Sequence, residues 1–233
     1  MRCTYKIAGR LIEIGSVYPR VHELCADYRA EGEPDFAVDV TEDDIAFERS
    51  RSEHSRVSDA YLEELAVYRR ISERMPFYDT LLFHGSCVAV DGEGYLFTAA
   101  SGTGKSTHTR LWREYLGSRA VMVNDDKPLI TVGREVVIIH GTPYNGKHRL
   151  GANISVPLKA VCILERAPEN SIRPVSKAEA YPMLIQQTYR PLDGAALVKT
   201  LPLIDRLAES VSLYRLGCNM DIEAAKIAYE GMK

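Results

Sequence analysis

Residues 99–106 read AASGTGKS, two glycines, a lysine and a hydroxyl at the A/G-x4-G-K-S/T spacing. Each residue type has a physical reason to be there if the ligand is a chain of phosphates. Gly102 and Gly104 let backbone N–H groups turn inward without a Cβ in the way. A helix starting near Gly104 adds its positive end. Lys105 has the reach for β- and γ-phosphates, and the Ser106 hydroxyl can ligate Mg²⁺. The expected ligand contacts are Ser101, Gly102, Thr103, Gly104, Lys105, Ser106 and Thr107. The pattern predicts binding of ATP or another nucleoside triphosphate with Mg²⁺. Its plain alternative is a glycine-rich turn with an exposed lysine.

A metal held there needs a carboxylate. VMVNDDKP, residues 121–128, is an apolar stretch that ends on Asp125 and Asp126. Two adjacent acids can divide the work, one holding metal and the other serving as base or orienting group. Considered alone, the same pair would cap a turn. The third candidate is His84 in FHGSCVAV, a type of residue that more often serves structure than chemistry. A loop dense in Gly, Pro, Asn and basic residues, HGTPYNGKHRLGANISVPL (140–158), offers Lys147, His148 or Arg149, with Lys147 and Arg149 preferred, to a transferring phosphoryl group or an anionic acceptor. An ordinary solvated loop would have the same composition.

These residues need elements to position them. LLFHGSCVAV and GYLFTAA flank DGEG, a hairpin signal. After the loop, residues 104–116 suit a helix with Leu111, Trp112, Tyr115 and Leu116 facing inward and Gly117 at its end. AVMVNDD reads as a buried strand, PLITVGREVVIIHG as a second hairpin and LKAVCILERA as another buried strand. The C-terminal third is mainly helical, with Ser176, Asp193 and Asp221 as candidate N-caps. Pro182 and Pro202 should kink or shorten its helices. Upstream, CTYKIA and FAVDV alternate like strands, and EDDIAFERSRSEHSR reads as a polar loop or seam. A helix capped by Ser58 carries the apolar stripe Tyr61, Leu65, Tyr68, Ile71 and Met75 until Pro76. The order predicts an α/β fold with a mixed sheet. A β-rich N-terminal annex (1–56) would precede the core (57–233), with one compact domain overall as the alternative.

The sequence HGSCVAV, then SGTGKST, then NDD resembles the catalytic domain of HPr kinase/phosphorylase. It is also similar to the nucleotide site of phosphoenolpyruvate carboxykinases, whose loop likewise reads SGTGK before hydroxyl residues. The match is specific over residues 81–128 and loose across the C-terminal third. The resemblance implies a P-loop kinase: an ATP- and Mg²⁺-dependent phosphotransferase acting on a hydroxyl of a peptide, a protein serine or a small metabolite. It implies that Asp126 joins Ser106 on Mg²⁺, that Asp125 takes the acceptor's proton, and that His84 sits beside Asp125 and tunes it. Lys105 keeps its role on the phosphates, and a homo-oligomer is implied by analogy with ring assemblies. The glycine-rich segment that follows the acidic strand in HPr kinases has no counterpart here, and carboxykinases are far larger. The rival reading is a nucleotide-binding regulatory or partner module without turnover.

Composition sets outer limits. The chain has 233 residues, 45% hydrophobic and 26% charged, ordinary for a globular protein. A net charge of −3 gives no electrostatic reason to expect nucleic acid or an anionic membrane as partner. No apolar run approaches the ~18 residues of a spanning helix. MRCTYKIAGRLIEIGS alternates like a strand where a signal peptide would be apolar, so a cytoplasmic location is expected. Five cysteines without a CxxC pair predict reduced thiols and no zinc site.

Overall fold

Alternating apolar residues in RCTYKI and RLIEIG make the first antiparallel pair, β1 (Arg2–Ile7) and β2 (Arg10–Gly15). A computed structural model describes residues 1–52, 56–146 and 148–233. In it, β3 (Phe36–Asp39) joins β2 in parallel, completing a three-stranded sheet. A short helix α1 (Arg20–Leu24) follows β2, and two longer ones, α2 (Glu42–Arg51) and α3 (Asp59–Arg74), follow β3.

Helix α2 corrects the expectation of a polar loop. Thr41 and Asp44 form a reciprocal capping box, and Glu42, Asp43 and Asp44 all sit at its positive end. Asp44 is buried and accepts from both Arg69 and Arg70 of α3. Burial alone would push its carboxyl up; the two guanidinium groups and the Thr41 N–H outweigh this and hold it well below the usual carboxylate range. Charge content therefore marked not a solvated loop but a helix paired to its neighbour.

The contacts divide the chain into Met1–Met75 and Pro76–Lys233. The expected boundary at 56/57 thus falls before α3, which groups with the N-terminal unit because it packs on α1, α2 and β3. Its buried face is Leu62, Ala66, Val67, Tyr68 and Ile71, while Tyr61 of the expected stripe is exposed.

In the second unit, strands β4 (Thr80–Leu82), β5 (Ser86–Val90), β6 (Glu93–Thr98), β7 (Ala120–Asn124), β8 (Leu129–Val132), β9 (Val137–His140) and β10 (Ser155–Arg166) run in the order β4-β8-β9-β10-β6-β5-β7. β12 (Ser212–Cys218) pairs with β10, and β11 (Ser171–Pro174) with β12. The expected mixed α/β character holds, with both hairpins, β5–β6 and β8–β9, antiparallel. The β5–β6 turn is Asp91-Gly92, both at positive φ, as a two-residue hairpin loop requires.

Period-two alternation sends side chains to two cores. Cys87, Leu96, Val161 and Ile163 face α5 (Lys177–Gln187) and α6 (Gly194–Ser210) through Leu184, Leu203 and Ile204. Val88, Phe97, Cys162 and Leu164 face α4 (Lys105–Leu116) and α7 (Ile222–Met232) through Leu111, Trp112 and Ala225. Tyr115, expected inward, is exposed. Ser176 and Asp193 cap α5 and α6 as expected, whereas the Asp221 side chain makes no cap bond to α7. Pro182 and Pro202 lie inside α5 and α6, which continue past them for 11 and 17 residues in all. The five cysteines are free. No helix among the described residues is long and apolar enough to cross a membrane.

His140 ties three strands together, with Thr131 Oγ1 on Nε2 at 2.9 Å and Ser155 Oγ on Nδ1 at 2.7 Å. Burial lowers its pKa from 6.5 to about 4. Between those values the unfolded chain takes up a proton that the folded one refuses, so stability falls as pH drops from 6.5 to about 4. Buried His108, also pushed down to about 4, adds to the slope. His140→Gln, whose amide can keep both hydroxyl partners, should make the fall in stability across that range shallower in urea unfolding. An unchanged slope would contradict the assignment.

Candidate functional site

Strand directions bring the sequence candidates together. β5 lies between β6 and β7 and is antiparallel to both, so the start of β5 meets the ends of β6 and β7. His84 precedes β5, the 99–104 loop follows β6, and Asp125 and Asp126 follow β7. β10 and β12 run parallel to β6, so their ends reach the same edge. The carboxyl edge of such a sheet is where ligand crevices form in open α/β folds.

In the loop, Gly102 and Gly104 take φ values of 75° and 124°, a region that a side chain disfavours. Gly104 is the N-cap of α4 and gives no side-chain cap, and the first turn carries no acid. The first N–H groups of α4, at Lys105, Ser106 and Thr107, thus face outward with the helix's positive end and no side-chain capping bond. Ser101 and Ser106 are exposed, and Thr103 and Thr107 half-buried. Lys105 folds back so that Nζ donates to Ala99 O at 3.1 Å. Burial lowers its pKa, and the charge of Asp126 pulls it part of the way back.

Asp126 is the residue His84 meets, at 3.3 Å from Nε2 to Oδ1. The expected His84–Asp125 neighbourhood is therefore corrected. The Gly85 N–H donates to Asp126 O, which keeps the start of β5 alongside Asp126 and leaves the Asp125 side chain elsewhere. Burial pushes the Asp126 carboxyl up, but the His84 hydrogen bond and the charges of Lys127, His84 and Lys105 outweigh it, and the net shift is downward. Asp125 is nearly buried, with Oδ1 accepting the Gly146 N–H at 2.5 Å.

Two clefts flank the loop. The larger, about 700 Å³, runs along Gly102, Gly104 and His108 to Arg166 and Asn219. Arg166, at the end of β10, donates to Gly102 O at 2.6 Å and to Thr103 O at 3.4 Å. The smaller, about 360 Å³, is lined by Ser106, Asp125, Arg110, Arg113 and His148 among others. Of the two basic candidates in the 140–158 loop, Lys147 lies outside the described residues. Arg149 is exposed and lines neither cleft; its neighbour His148 does.

Sequence reading missed Arg166, Arg110, Arg113 and Asn124. Arg166 could have been noticed as the one cation closing a buried strand, and the two arginines as a pair three residues apart on the helix after the loop. Asn124 has no such signal. It is fully buried: its Oδ1 accepts from Asp126 N at 2.9 Å and Lys127 N at 2.7 Å. Its Nδ2 donates to Thr142 Oγ1 at 3.0 Å and Tyr144 O at 3.3 Å. One side chain thereby fixes the acidic turn and fastens it to the loop beyond β9. Asn124→Ala, which takes the acceptor from two half-buried backbone amides and unties the acidic turn from the loop beyond β9, should cost about 2 kcal/mol in urea unfolding. A loss below about 1 kcal/mol would be that of an ordinary surface change and would refute the role.

No curated protein matches the sequence. Among solved structures, the HPr(Ser) kinase/phosphatase from Coxiella burnetii is similar at 10% identity and a TM-score of 0.37. The alignment covers 64% of this chain and 94% of that one. A likeness at that level carries neither fold nor function across. The family model that matches is not that of the HPr kinases but that of SynChlorMet cassette protein ScmC, over residues 60–200. That stretch is more than half of the chain and includes His84, the loop, the aspartate pair and Arg166, so the chain belongs to the ScmC family.

Proposed function

We propose that the chain is a kinase, transferring the terminal phosphoryl group of ATP or another nucleoside triphosphate, with Mg²⁺, to a hydroxyl. The acceptor is a peptide, a protein serine or a small metabolite. One observation carries the reading: a helix start without a side-chain cap, the Lys105 ammonium and the His84–Asp126 pair meet at one strand edge.

In this reading the N–H groups of residues 101–107 and Lys105 hold the phosphates. The nucleoside lies in the larger cleft, where Arg166 already braces the loop from the carbonyl side. The residues fit Mg²⁺ as it is usually bound with triphosphates, through one or two protein oxygens and the phosphates. Ser106 offers an exposed hydroxyl and Asp126 an ionised carboxylate, and no group of three or more metal-ligating side chains surrounds them among the described residues. Held by these residues, Mg²⁺ would supply neutralisation of the triphosphate's negative charge.

Asp125 is the base. Its Oδ1 is occupied by the Gly146 N–H, so Oδ2 takes the acceptor's proton. The acceptor oxygen forms a bond to the γ-phosphorus as the bond from that phosphorus to the β–γ bridging oxygen breaks. The diphosphate leaves with the electron pair, and Lys105 stabilises the charge that moves onto it. His84 works on Asp126, keeping it oriented and ionised.

Incubation of wild type with labelled triphosphate, Mg²⁺ and a host-cell extract should place label on an acceptor. Lys105→Ala and Asp125→Asn should each lower the transfer rate by about a hundredfold or more. Label on no acceptor, or labelling by both variants at the wild-type rate, would end the kinase reading. Thermal stabilisation by the triphosphate with no diphosphate formed over hours would instead favour a binding module.

A further inference from the structure

The smaller cleft has a composition that phosphate binding by the loop does not account for. Arg110 and Arg113 lie three residues apart on α4 and both line it, joined by His148 from the opposite loop. Asp125 is the one carboxylate among its lining residues. Arg110 also meets Glu114 at 3.2 Å, an exposed pair of little energetic weight. With Arg110 paired to Glu114, Arg113 is the lining guanidinium without an ion pair among the described residues, and guanidinium groups match carboxylate and phosphate oxygens in geometry.

We propose that this cleft takes the phosphate acceptor and that the acceptor is a small anionic alcohol, its hydroxyl at Asp125 and its carboxylate or phosphate on Arg110 and Arg113. The proposal rests on the phosphotransfer reading and names the substrate class for it. Ser106, Arg110 and Arg113 line the cleft along about 10 Å of helix axis, and Asp125 lines the same cleft, so one small occupant can meet the acid and the arginines together. A volume of about 360 Å³ sits at the lower end for small-molecule pockets.

The full chain, saturated with ADP and Mg²⁺, is treated with phenylglyoxal, which condenses with guanidinium groups, and each arginine is followed by peptide mass spectrometry. Glycerate, a hydroxy carboxylate, or glycerol 3-phosphate, a hydroxy phosphate, should slow modification of Arg113 by at least about fivefold at saturation. Neutral glycerol should not, and exposed Arg134 should react equally throughout. Whichever anion protects names the headgroup. Equal rates at Arg113 with and without both anions overturn the inference, as does equal protection by glycerol. Protection by nucleotide alone, to which the anions add nothing, gives the arginines to the triphosphate and also overturns it. If a triphosphate fails to stabilise the protein, the kinase reading falls separately. The same protection measured on nucleotide-free protein then still decides whether the cleft takes anions.

Discussion

The amide of Asn124 is the constraint on which the acidic turn depends. It is buried without solvent contact and must find partners inside the protein for both its oxygen and its nitrogen. The backbone N–H groups of Asp126 and Lys127 satisfy the oxygen, which forces the chain to turn as soon as β7 ends. Thr142 and Tyr144 satisfy the nitrogen, which draws the next loop in close enough for the Gly146 N–H to meet Asp125. Asp125 and Asp126 are adjacent in sequence yet reach different surroundings because of this turn. One faces Gly146 and the smaller cleft; the other faces His84 and Lys105.

That separation gives the two carboxylates different electrostatic settings. Asp126 is surrounded by cationic groups and is held ionised despite burial. Lys105 is in the converse position, a desolvated ammonium with one nearby carboxylate and a loop carbonyl for company. A desolvated cation beside unpaired helix N–H groups is unsatisfied electrostatically, and an anion of several charges would relieve both. The loop does not supply one itself, since the first turn of α4 contains neither an acid nor a side-chain cap. The local sequence, KSTHTR, is poor helix-start chemistry and good anion-binding chemistry.

Much of this was legible in the sequence because it rests on short-range rules. The hairpins, the buried strands, α4 and the three candidate segments follow from turn residues, alternation and spacing. What could not be read depends on contacts between distant residues. The charged stretch at residues 42–51 is helical because Asp44 finds Arg69 and Arg70, 25 and 26 positions away. The unit boundary lies beyond α3 because of which surfaces that helix covers, which its own stripe did not show. His84 meets Asp126 and not Asp125 because of a one-residue register between the start of β5 and the turn after β7. Arg166 reaches the loop only because β10 is parallel to β6. Sequence spacing sets which groups a site can contain; strand direction and register set which of them touch.

Helix α4 begins at the glycine-rich loop and carries both arginines of the smaller cleft. Trp112 anchors it with no exposed surface, packed against Tyr95, Phe97 and Tyr229 at ring distances of 5.1, 5.0 and 5.7 Å. Its indole N–H donates to His108 Nε2, and Ser86 of β5 meets Thr109 on the next face. A helix pinned at residues 108, 109 and 112 cannot slide along the sheet without breaking this packing. The distance from Ser106 to Arg113 is then set by helical rise and not by side-chain choice. The backbone at the arginines is thus held firmly, while selectivity for charge in the proposed acceptor would rest on two replaceable side chains.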